Sequence, residues 1–384
     1  MSDAELSNLP KSNSHNSKMS DRLFTPLKVG SIELKNRVAM APLTRFRVND
    51  DNEILPMAAQ YYGERACVPG TLLITEATLV SKQSGGYANV PGIYTQKQID
   101  AWKPITKAVH EKGSFVYLQL WALGRVANKE YCEKNDITVK SSSATSLGEG
   151  YATPQEMTVE EIKQSVSDYA QAAKNAIEAG FDGVEIHAAN GYLVDQFLQD
   201  TCNKRTDSYG GSVENRSRFA VEVTQAVVEA VGKDKTGIRL SPFSEFQGMK
   251  MKDPMPQFTD IMQRLNSFRL AYLHLVEARV SGNADVEGYD SLNPLLPHYT
   301  SSPILIAGGL KAEDAKKIVE EHKDRDVVAV FGRYFISTPD LVFRLEKGIE
   351  FNEYNRDTFY IPKSEKGYID YPFSKEWFEA KVSA

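Results

Sequence analysis

The feature that most constrains the fold is a set of eight short apolar segments that recur along the chain. Each is rich in Val, Ile and Leu and lacks sustained polar alternation, which is typical of parallel strands covered on both faces. They lie at residues 38–43, 71–77, 114–121, 183–189, 236–242, 272–278, 303–309 and 327–333. This pattern predicts a parallel sheet buried between helices.

Amphipathic helices are predicted between several of these segments. The clearest begins after Thr158, which forms a capping-box pattern with Glu161, and ends at Gly180. Further helices are predicted at 96–113, 212–232, 311–322 and 338–348, the last with Pro339 in its first turn. Eight strands alternating with helices favour an α/β fold, the (β/α)8 TIM barrel. An open doubly wound sheet is the alternative, but no GxGxxG motif follows any predicted strand.

Three stretches lie outside this repeat. Residues 124–157 are expected to form a capping insertion after the third strand, over the C-terminal mouth where this fold places its active sites. Residues from about 349 onward are expected to form a C-terminal extension around the outside or across the mouth. Residues 1–20 show no apolar period and are expected to be a flexible arm, which leaves 21–384 as a single domain.

Composition and residue spacing argue against nucleic-acid-binding, membrane, disulfide-rich and metal-binding proteins. With 41% hydrophobic residues and a net charge of -6, we expect a soluble protein with no general attraction to nucleic acid. The sequence shows neither an apolar run of the ~18 residues that cross a bilayer nor a signal peptide, so a cytoplasmic protein without a membrane partner is expected. Cys67, Cys132 and Cys202 fit neither a disulfide framework nor a CxxC site. No metal is predicted, because no strand end carries a His-x-His pattern or a paired carboxylate and His.

Polar residues that could carry chemistry follow the fourth predicted strand. His187 and Asn190 are neutral hydrogen-bond donors, and Tyr192 adds a phenol. They can converge on one small polar atom if the chain bends after the strand, and Gly191 permits such a bend. A single histidine at a strand end is more often structural, and this alternative stays open on these residues alone.

Other strand ends suggest a site for a flavin. Gly308, Gly309, Gly332 and Arg333 follow the seventh and eighth strands, where barrels commonly bind one phosphate, although a glycine pair also fits an ordinary tight turn. Gln119 and Arg239 end apolar strands and would be costly to bury without partners. A flavin ring offers partners for Gln119, Arg239 and Thr44, whereas a salt bridge to a core carboxylate is the alternative for Arg239.

Taken together, these motifs resemble the Old Yellow Enzyme family of flavoproteins, in its fungal type. The resemblance spans residues from about 24 to 372 and is carried by sequences at strand ends. The matching sequences are MAPLTR at 40–45, PGT at 69–71, ITEA at 74–77, QLW at 119–121, EIHAANGYL at 185–193, QFL at 196–198, the stretch 203–216, RLSP at 239–242 and FGR at 331–333.

The resemblance implies a non-covalently bound FMN that NADPH or NADH reduces and that passes hydride to the β-carbon of an activated alkene. His187 and Asn190 would bind the carbonyl or nitro oxygen of the substrate, and Tyr192 would protonate the α-carbon. The residues implied to hold FMN are Thr44, Ala77, Gln119, Arg239, Gly308, Gly309, Gly332 and Arg333. Tyr87, Trp121 and Tyr360 would line the substrate cavity, although each could be an ordinary packing residue.

The sequence therefore predicts an FMN-dependent ene-reductase for α,β-unsaturated carbonyl or nitro compounds, acting as a monomer or homodimer. A redox-inactive flavin- or steroid-binding protein on the same fold is the alternative. A dienoyl-CoA or amine-oxidising relative is disfavoured, because it would need an iron–sulfur cluster that the cysteine spacing does not provide.

Overall fold

The computed structural model describes residues 21–278 and 290–382, together with the short strands Val280–Ser281 and Ala284–Asp285. The predicted arm at 1–20 lies outside the described residues. Eight parallel strands form a closed barrel, as predicted. Each strand pairs with its neighbours in chain order, and the eighth strand pairs with the first, which closes the ring. These strands are β1 (Val38–Met40), β2 (Leu72–Ile74), β3 (Phe115–Trp121), β4 (Gly183–Ala188), β5 (Thr236–Leu240), β6 (Tyr272–Val276), β7 (Ile304–Ala307) and β8 (Val327–Phe331).

Helices surround the barrel and pack their apolar faces on it. The main ones are α1 (Met57–Arg65), α2 (Gln96–His110), α3 (Val159–Glu178), α4 (Val213–Val231), α5 (Met255–Asn266), α6 (Ala312–Glu321) and α7 (Leu341–Lys347). The predicted capping box of α3 is present, since the Thr158 hydroxyl accepts from Glu161 N while the Glu161 carboxylate accepts from Thr158 N. Shorter helices lie at Lys129–Lys134, Leu193–Leu198, Arg333–Ser337 and Lys375–Val382.

The helix predicted at 338–348 was placed too early, and Pro339 is not in its first turn. A separate short helix, Arg333–Ser337, is followed by Thr338, whose backbone is not helical, with φ −125° and ψ 86°. A residue before proline disfavours helical backbone, so the chain breaks there. Helix α7 begins only at Leu341, after Asp340.

Two tyrosines fill the lower half of the barrel interior. The rings of Tyr117 and Tyr272 lie 5.6 Å apart, and a Cβ at Gly183 or Gly237 would come within about 2.5 Å of one of these rings. Beneath them the hairpin Leu27–Val29 and Ile32–Leu34 packs into the same apolar cluster. The amino-terminal end of the barrel is therefore closed, and the opposite, carboxyl-terminal end is left for function.

The stretch 124–157 contains the helix Lys129–Lys134 and a parallel pair of short strands, Lys140–Ser141 and Gln155–Glu156. It packs beside the helix Leu193–Leu198 that follows β4, because Ser141 Oγ donates to Gln196 Oε1 at 2.7 Å. In the described part of the chain, none of the helices has the length and apolar character needed to span a lipid bilayer.

Candidate active site

The strand register places the candidate residues side by side at the carboxyl-terminal end of the barrel. Gln119 on β3 is in register with Glu185 on β4, and His187 on β4 is in register with Arg239 on β5. Arg239 is in turn in register with His274 on β6. Residues in register on neighbouring parallel strands point to the same face, so these polar side chains meet inside the barrel.

Glu185 supplies the buried negative charge of this layer. Gln119 Nε2 donates to its Oε1 at 2.7 Å, and its Oε2 lies 2.8 Å from His274 Nδ1. Burial raises the pKa of Glu185, but His274, Arg239 and Gln119 outweigh it and hold that pKa below the ordinary value. Burial lowers the pKa of His274, so its neutral ring donates through Nδ1. The sequence analysis left open that a buried carboxylate forms a salt bridge with Arg239. Glu185 is a buried carboxylate whose charge acts on Arg239, but Arg239 Nε still has no hydrogen-bond partner.

The bend after β4 uses two residues rather than one. Asn190 has φ 57° and Gly191 has φ 78°, and both values fall in the left-handed region. Ser241 Oγ, beyond the end of β5, accepts from Asn190 N at 2.7 Å and fixes this unusual backbone. The turn brings the Tyr192 ring to 4.9 Å from the His187 ring, so the two rings and Asn190 share one wall.

The protonation states of this wall follow from its burial. Burial, with Arg239 and His274 nearby, lowers the pKa of His187 well below its ordinary value, so the imidazole is neutral. Burial raises the pKa of Tyr192 to about 12, although the adjacent Gln247 amide acts in the opposite direction. The phenol therefore keeps its proton at neutral pH and can donate it.

Every residue that the sequence analysis assigned to catalysis, cofactor or substrate lines one cavity of about 480 Å³. These residues are Thr44, Ala77, Tyr87, Gln119, Trp121, His187, Asn190, Tyr192, Arg239, Gly308, Gly309, Gly332, Arg333 and Tyr360. Sequence reasoning missed other residues that line the same cavity, among them Phe46, Phe246, Gln247, Leu310, Tyr334 and Phe359. Most of the missed residues are apolar or aromatic and follow no strand directly, so no local pattern identified them.

Buried arginines fasten the C-terminal segment beside the cavity. Arg47 donates to the carbonyls of Thr358, Phe359, Ser364 and Lys366, at distances from 2.7 to 3.0 Å. The neighbouring Arg45 donates to the carbonyls of Phe359 and Gly367. These bonds hold Phe359 and Tyr360 on the cavity wall, where the Tyr360 ring lies 5.6 Å from that of Phe46.

Glycines line the cavity at the ends of β7 and β8. Gly308 has φ 147° and Gly309 has φ 65°, which only glycine adopts readily. A Cβ at Gly308 would lie 2.4 Å from the Cβ of Glu277, so the backbone here approaches its neighbour closely. The Arg333 guanidinium lies over the Tyr354 ring, 5.4 Å from its centroid, next to these glycines.

The polar atoms of the cavity fit a planar, acceptor-rich ligand. Within the described residues, Arg239 Nε, His187 Nδ1, Trp121 Nε1 and Gln247 Oε1 are buried without a hydrogen-bond partner, and all four side chains line the cavity. Buried polar groups are normally satisfied, so these atoms indicate a bound partner. A flavin ring would offer carbonyl acceptors to buried donors such as Arg239, and the glycines at the strand ends would leave room for its phosphate.

Comparison with known proteins agrees with this geometry. Residues 22–352 match the model of the NADH:flavin oxidoreductase / NADH oxidase family. Chanoclavine-I aldehyde reductase fgaOx3 of Penicillium roqueforti is 56% identical over 94% of this chain and 99% of its own length. NADP-dependent oxidoreductase lnbE of Aspergillus flavus is 52% identical, over 93% of this chain and 98% of its own. A relative from Epichloe festucae var. lolii, 47% identical over 92% of this chain and 96% of its own, is named a probable inactive reductase, easA.

Solved structures give the same assignment. Old Yellow Enzyme from Pichia sp. AKU4542 superposes with a TM-score of 0.85 at 40% identity, covering 92% of this chain and 94% of its own. The Old Yellow Enzyme homologue from Zymomonas mobilis superposes with a TM-score of 0.84 at 34% identity, covering 91% of this chain and 99% of its own. The chain therefore belongs to the NADH:flavin oxidoreductase / NADH oxidase family and is an FMN-dependent oxidoreductase of the Old Yellow Enzyme type.

Proposed function

We propose that this oxidoreductase reduces the carbon–carbon double bond of α,β-unsaturated carbonyl or nitro compounds. The observation that carries the proposal is the placement of a neutral His187, Asn190 and a protonated Tyr192 on one wall of one cavity. Reduction of such an alkene needs polarisation of the conjugated oxygen, a hydride for the β-carbon and a proton for the α-carbon. The residues of this chain supply the polarisation and the proton.

His187 and Asn190 bind the substrate oxygen in this proposal. The oxygen gains negative charge as the β-carbon is reduced, and neutral donors inside a buried site stabilise that charge strongly. A neutral imidazole donates one N–H while its proton stays on the ring, and the lowered pKa of His187 favours this form. Ser241 keeps Asn190 on the same wall by accepting its backbone N–H.

Tyr192 delivers the proton. Burial raises the pKa of the Tyr192 phenol to about 12, so only a strong base can remove its proton. The α-carbon becomes such a base once the β-carbon has received the hydride. The Tyr192 ring is held between Trp121, at 5.0 Å, and His187, at 4.9 Å. This packing restricts the direction in which the hydroxyl points.

The cofactor is held by residues at the ends of the barrel strands. Thr44, Ala77, Gln119 and Arg239 would contact the ring of FMN, while Gly308, Gly309, Gly332 and Arg333 would bind its phosphate. Bound FMN supplies the hydride after reduction by NADPH or NADH.

Unsaturated aldehydes are the favoured substrates within this class. Relatives from Penicillium roqueforti and Cladobotryum sp. are named aldehyde reductases. The substrate end of the cavity carries Tyr87, Trp121 and Tyr360 together with Phe46 and Phe246, which suits an apolar or aromatic substituent on the alkene.

Anaerobic half-reactions test the proposal. NADPH is expected to bleach the yellow protein, and cyclohexenone or an unsaturated aldehyde is expected to restore the colour. Bleaching that no activated alkene reverses would contradict the proposal, as would a folded protein that stays colourless after FMN is added.

A redox-inactive binding protein is the second candidate, and one observation favours it. Relatives 45–47% identical to this chain are named probable inactive reductases or dehydrogenases. Binding of an unsaturated aldehyde without reoxidation of the reduced flavin would support this candidate.

A further inference from the structure

The turn that carries Asn190 and Tyr192 is held at its central residue, Gly191. The Gly191 N–H donates to Asp195 Oδ2 at 2.9 Å, and the Gly191 carbonyl accepts from Gln196 Nε2 at 2.8 Å. Two consecutive side chains thus bind both backbone polar groups of one residue. Two consecutive residues in left-handed backbone are uncommon even when they are asparagine and glycine, and the bonds to Gly191 help to keep this turn in place.

Asp195 also connects the turn to a second element of the cavity wall. Its Oδ1 accepts from Gln199 Nε2 at 2.8 Å, and Gln199 Oε1 accepts from Lys250 N at 2.7 Å. Lys250 follows Gln247, which lines the cavity beside the Tyr192 phenol. A continuous chain of hydrogen bonds therefore links the two segments that surround this phenol.

Gln196 connects the same turn to the stretch 124–157. Its Oε1 accepts from Ser141 Oγ at 2.7 Å and from Arg125 N at 3.1 Å, and its Nε2 also donates to the Leu123 carbonyl at 3.0 Å. A Cβ at Gly124 would lie 2.0 Å from Gln196 Oε1, so only glycine permits this approach. The Gln196 amide is fully satisfied in a single orientation.

We propose that Asp195 and Gln196 are positioning residues of the alkene half-reaction, because their bonds to Gly191 set the directions in which Asn190 and Tyr192 reach the substrate. This inference rests on the proposed function. Both side chains are fully buried behind the turn and act through it, without touching the reacting atoms.

The hydrogen-bond pattern suggests a specific pair of variants. Asp195→Asn keeps the shape but turns one acceptor into a donor, which then faces either Gly191 N or Gln199 Nε2. Adding Gln199→Glu restores complementarity, because the new amide at position 195 would donate to one oxygen of the new carboxylate at position 199, while Lys250 N donates to the other. The double variant also preserves net charge. Gln196→Met, which removes the donor to the Gly191 carbonyl, is an independent second variant.

Asp340→Asn is the matched control. Asp340 is also fully buried, and it accepts from Arg344 Nε at 2.8 Å and from Ser374 N at 2.9 Å, away from the cavity. Its loss measures what a missing buried carboxylate does to stability alone. All assays are run at about pH 8, because burial raises the pKa of Asp195 to about 7, although Arg125 nearby opposes this.

The kinetic readout is the split between the two half-reactions, measured by stopped flow with NADPH and with cyclohexenone. Asp195→Asn and Gln196→Met are expected to slow reoxidation by the alkene roughly 10- to 100-fold, since a displacement of about 1 Å has that effect. Flavin reduction and FMN content are expected to stay within about twofold. The double variant is expected to recover most of the lost rate. Equal loss in both half-reactions, or no recovery, would overturn the inference.

Hydrogen exchange provides a readout that does not depend on activity. Peptides spanning 189–193 are expected to exchange roughly tenfold faster in Asp195→Asn, because the new donor at position 195 opposes either Gly191 N–H itself or the Gln199 amide that holds this side chain in place, and to regain protection in the double variant. Unchanged exchange would contradict the inference even if the kinetics altered. A wild-type protein whose reduced flavin ignores every alkene would instead contradict the proposed function, while the exchange result still decides whether Asp195 holds the turn.

Discussion

Arg239 and His187 lie in register on neighbouring parallel strands, and both side chains face the same cavity. Two cations side by side in a buried site would repel each other, and arginine does not release its proton. His187 is therefore the neutral member, and its lowered pKa reflects first its burial and then this neighbour.

We expect His187 to contribute no inflection to the rate of alkene reduction near pH 6.5, the ordinary pKa of a histidine, because folded His187 stays neutral well below that pH. An inflection caused by Asp195, whose pKa burial raises to about 7, would persist in His187→Asn. His187 also makes the free energy of unfolding depend on pH, in the direction opposite to that of a histidine that gains an acidic partner on folding. The unfolded state binds the extra proton, so the free energy of unfolding falls as the pH drops below about 6.5. An inflection between about pH 6 and 7 that disappears in His187→Asn would show that the folded histidine titrates there.

Tyr192→Phe is expected to slow the alkene half-reaction by about 100-fold or more, since general-acid catalysis typically contributes that much. Flavin reduction by NADPH should remain nearly intact, and stopped-flow measurement of each half-reaction separates the two. Tyr299→Phe is the matched control, because this buried phenol lies outside the cavity and bonds Ser302. Equal losses in both half-reactions would exclude Tyr192 as the proton donor.

Arg333→Gln is expected to weaken FMN binding by roughly 10- to 100-fold, because a hydrogen bond to a charged group contributes about 1.5–3 kcal/mol. Riboflavin, which lacks the phosphate, serves as the matched ligand, and its affinity should not change. Fluorescence titration of the apoprotein with each flavin measures both values. Equal weakening for the two flavins would place Arg333 away from the phosphate.

Arg47→Met is expected to loosen the C-terminal segment, because the carbonyls of Thr358, Ser364 and Lys366 lose their Arg47 donor and that of Phe359 keeps only Arg45. Each unsatisfied group costs about 1–3 kcal/mol, so cleavage of 355–370 by proteases should accelerate and KM should rise with Tyr360 displaced. Lys363→Ala is the control, since it removes only an exposed ion pair with Asp50. Identical behaviour of the two variants would show that Arg47 does not anchor this segment.

Much of the barrel could be predicted from the sequence, because buried parallel strands produce uninterrupted apolar segments that are easy to recognise. All eight predicted segments contain a barrel strand. Helix α5 was not predicted, although Phe258, Ile261, Met262 and Leu265 bury one face of it at helical spacing. Helix α1 was harder, because it buries Tyr61, Tyr62 and Arg65 rather than an aliphatic stripe.

The candidate site was predicted where residues lie at the carboxyl end of a strand or just after it, because the fold itself then fixes their position. Glu185 and His274 were not recognised, since a polar side chain within an apolar strand gives no sign of its partner on another strand. Gln247 and Phe359 were missed for a different reason. Both residues reach the cavity from loops that are distant in sequence from the strand ends. The bond from Arg47 to the Phe359 carbonyl and the bond from Lys250 N to Gln199 hold these loops in place.

The product formed from an α,β-unsaturated aldehyde such as cinnamaldehyde shows which double bond of the substrate the enzyme reduces. With NADPH, the purified holoenzyme is expected to yield the saturated aldehyde, identified by NMR, because the site directs reduction to the β-carbon and leaves the carbonyl bound by His187 and Asn190. An unsaturated alcohol, with the carbon–carbon double bond intact and the carbonyl reduced, would show that the hydride goes to the carbonyl carbon and that the enzyme is not an ene-reductase.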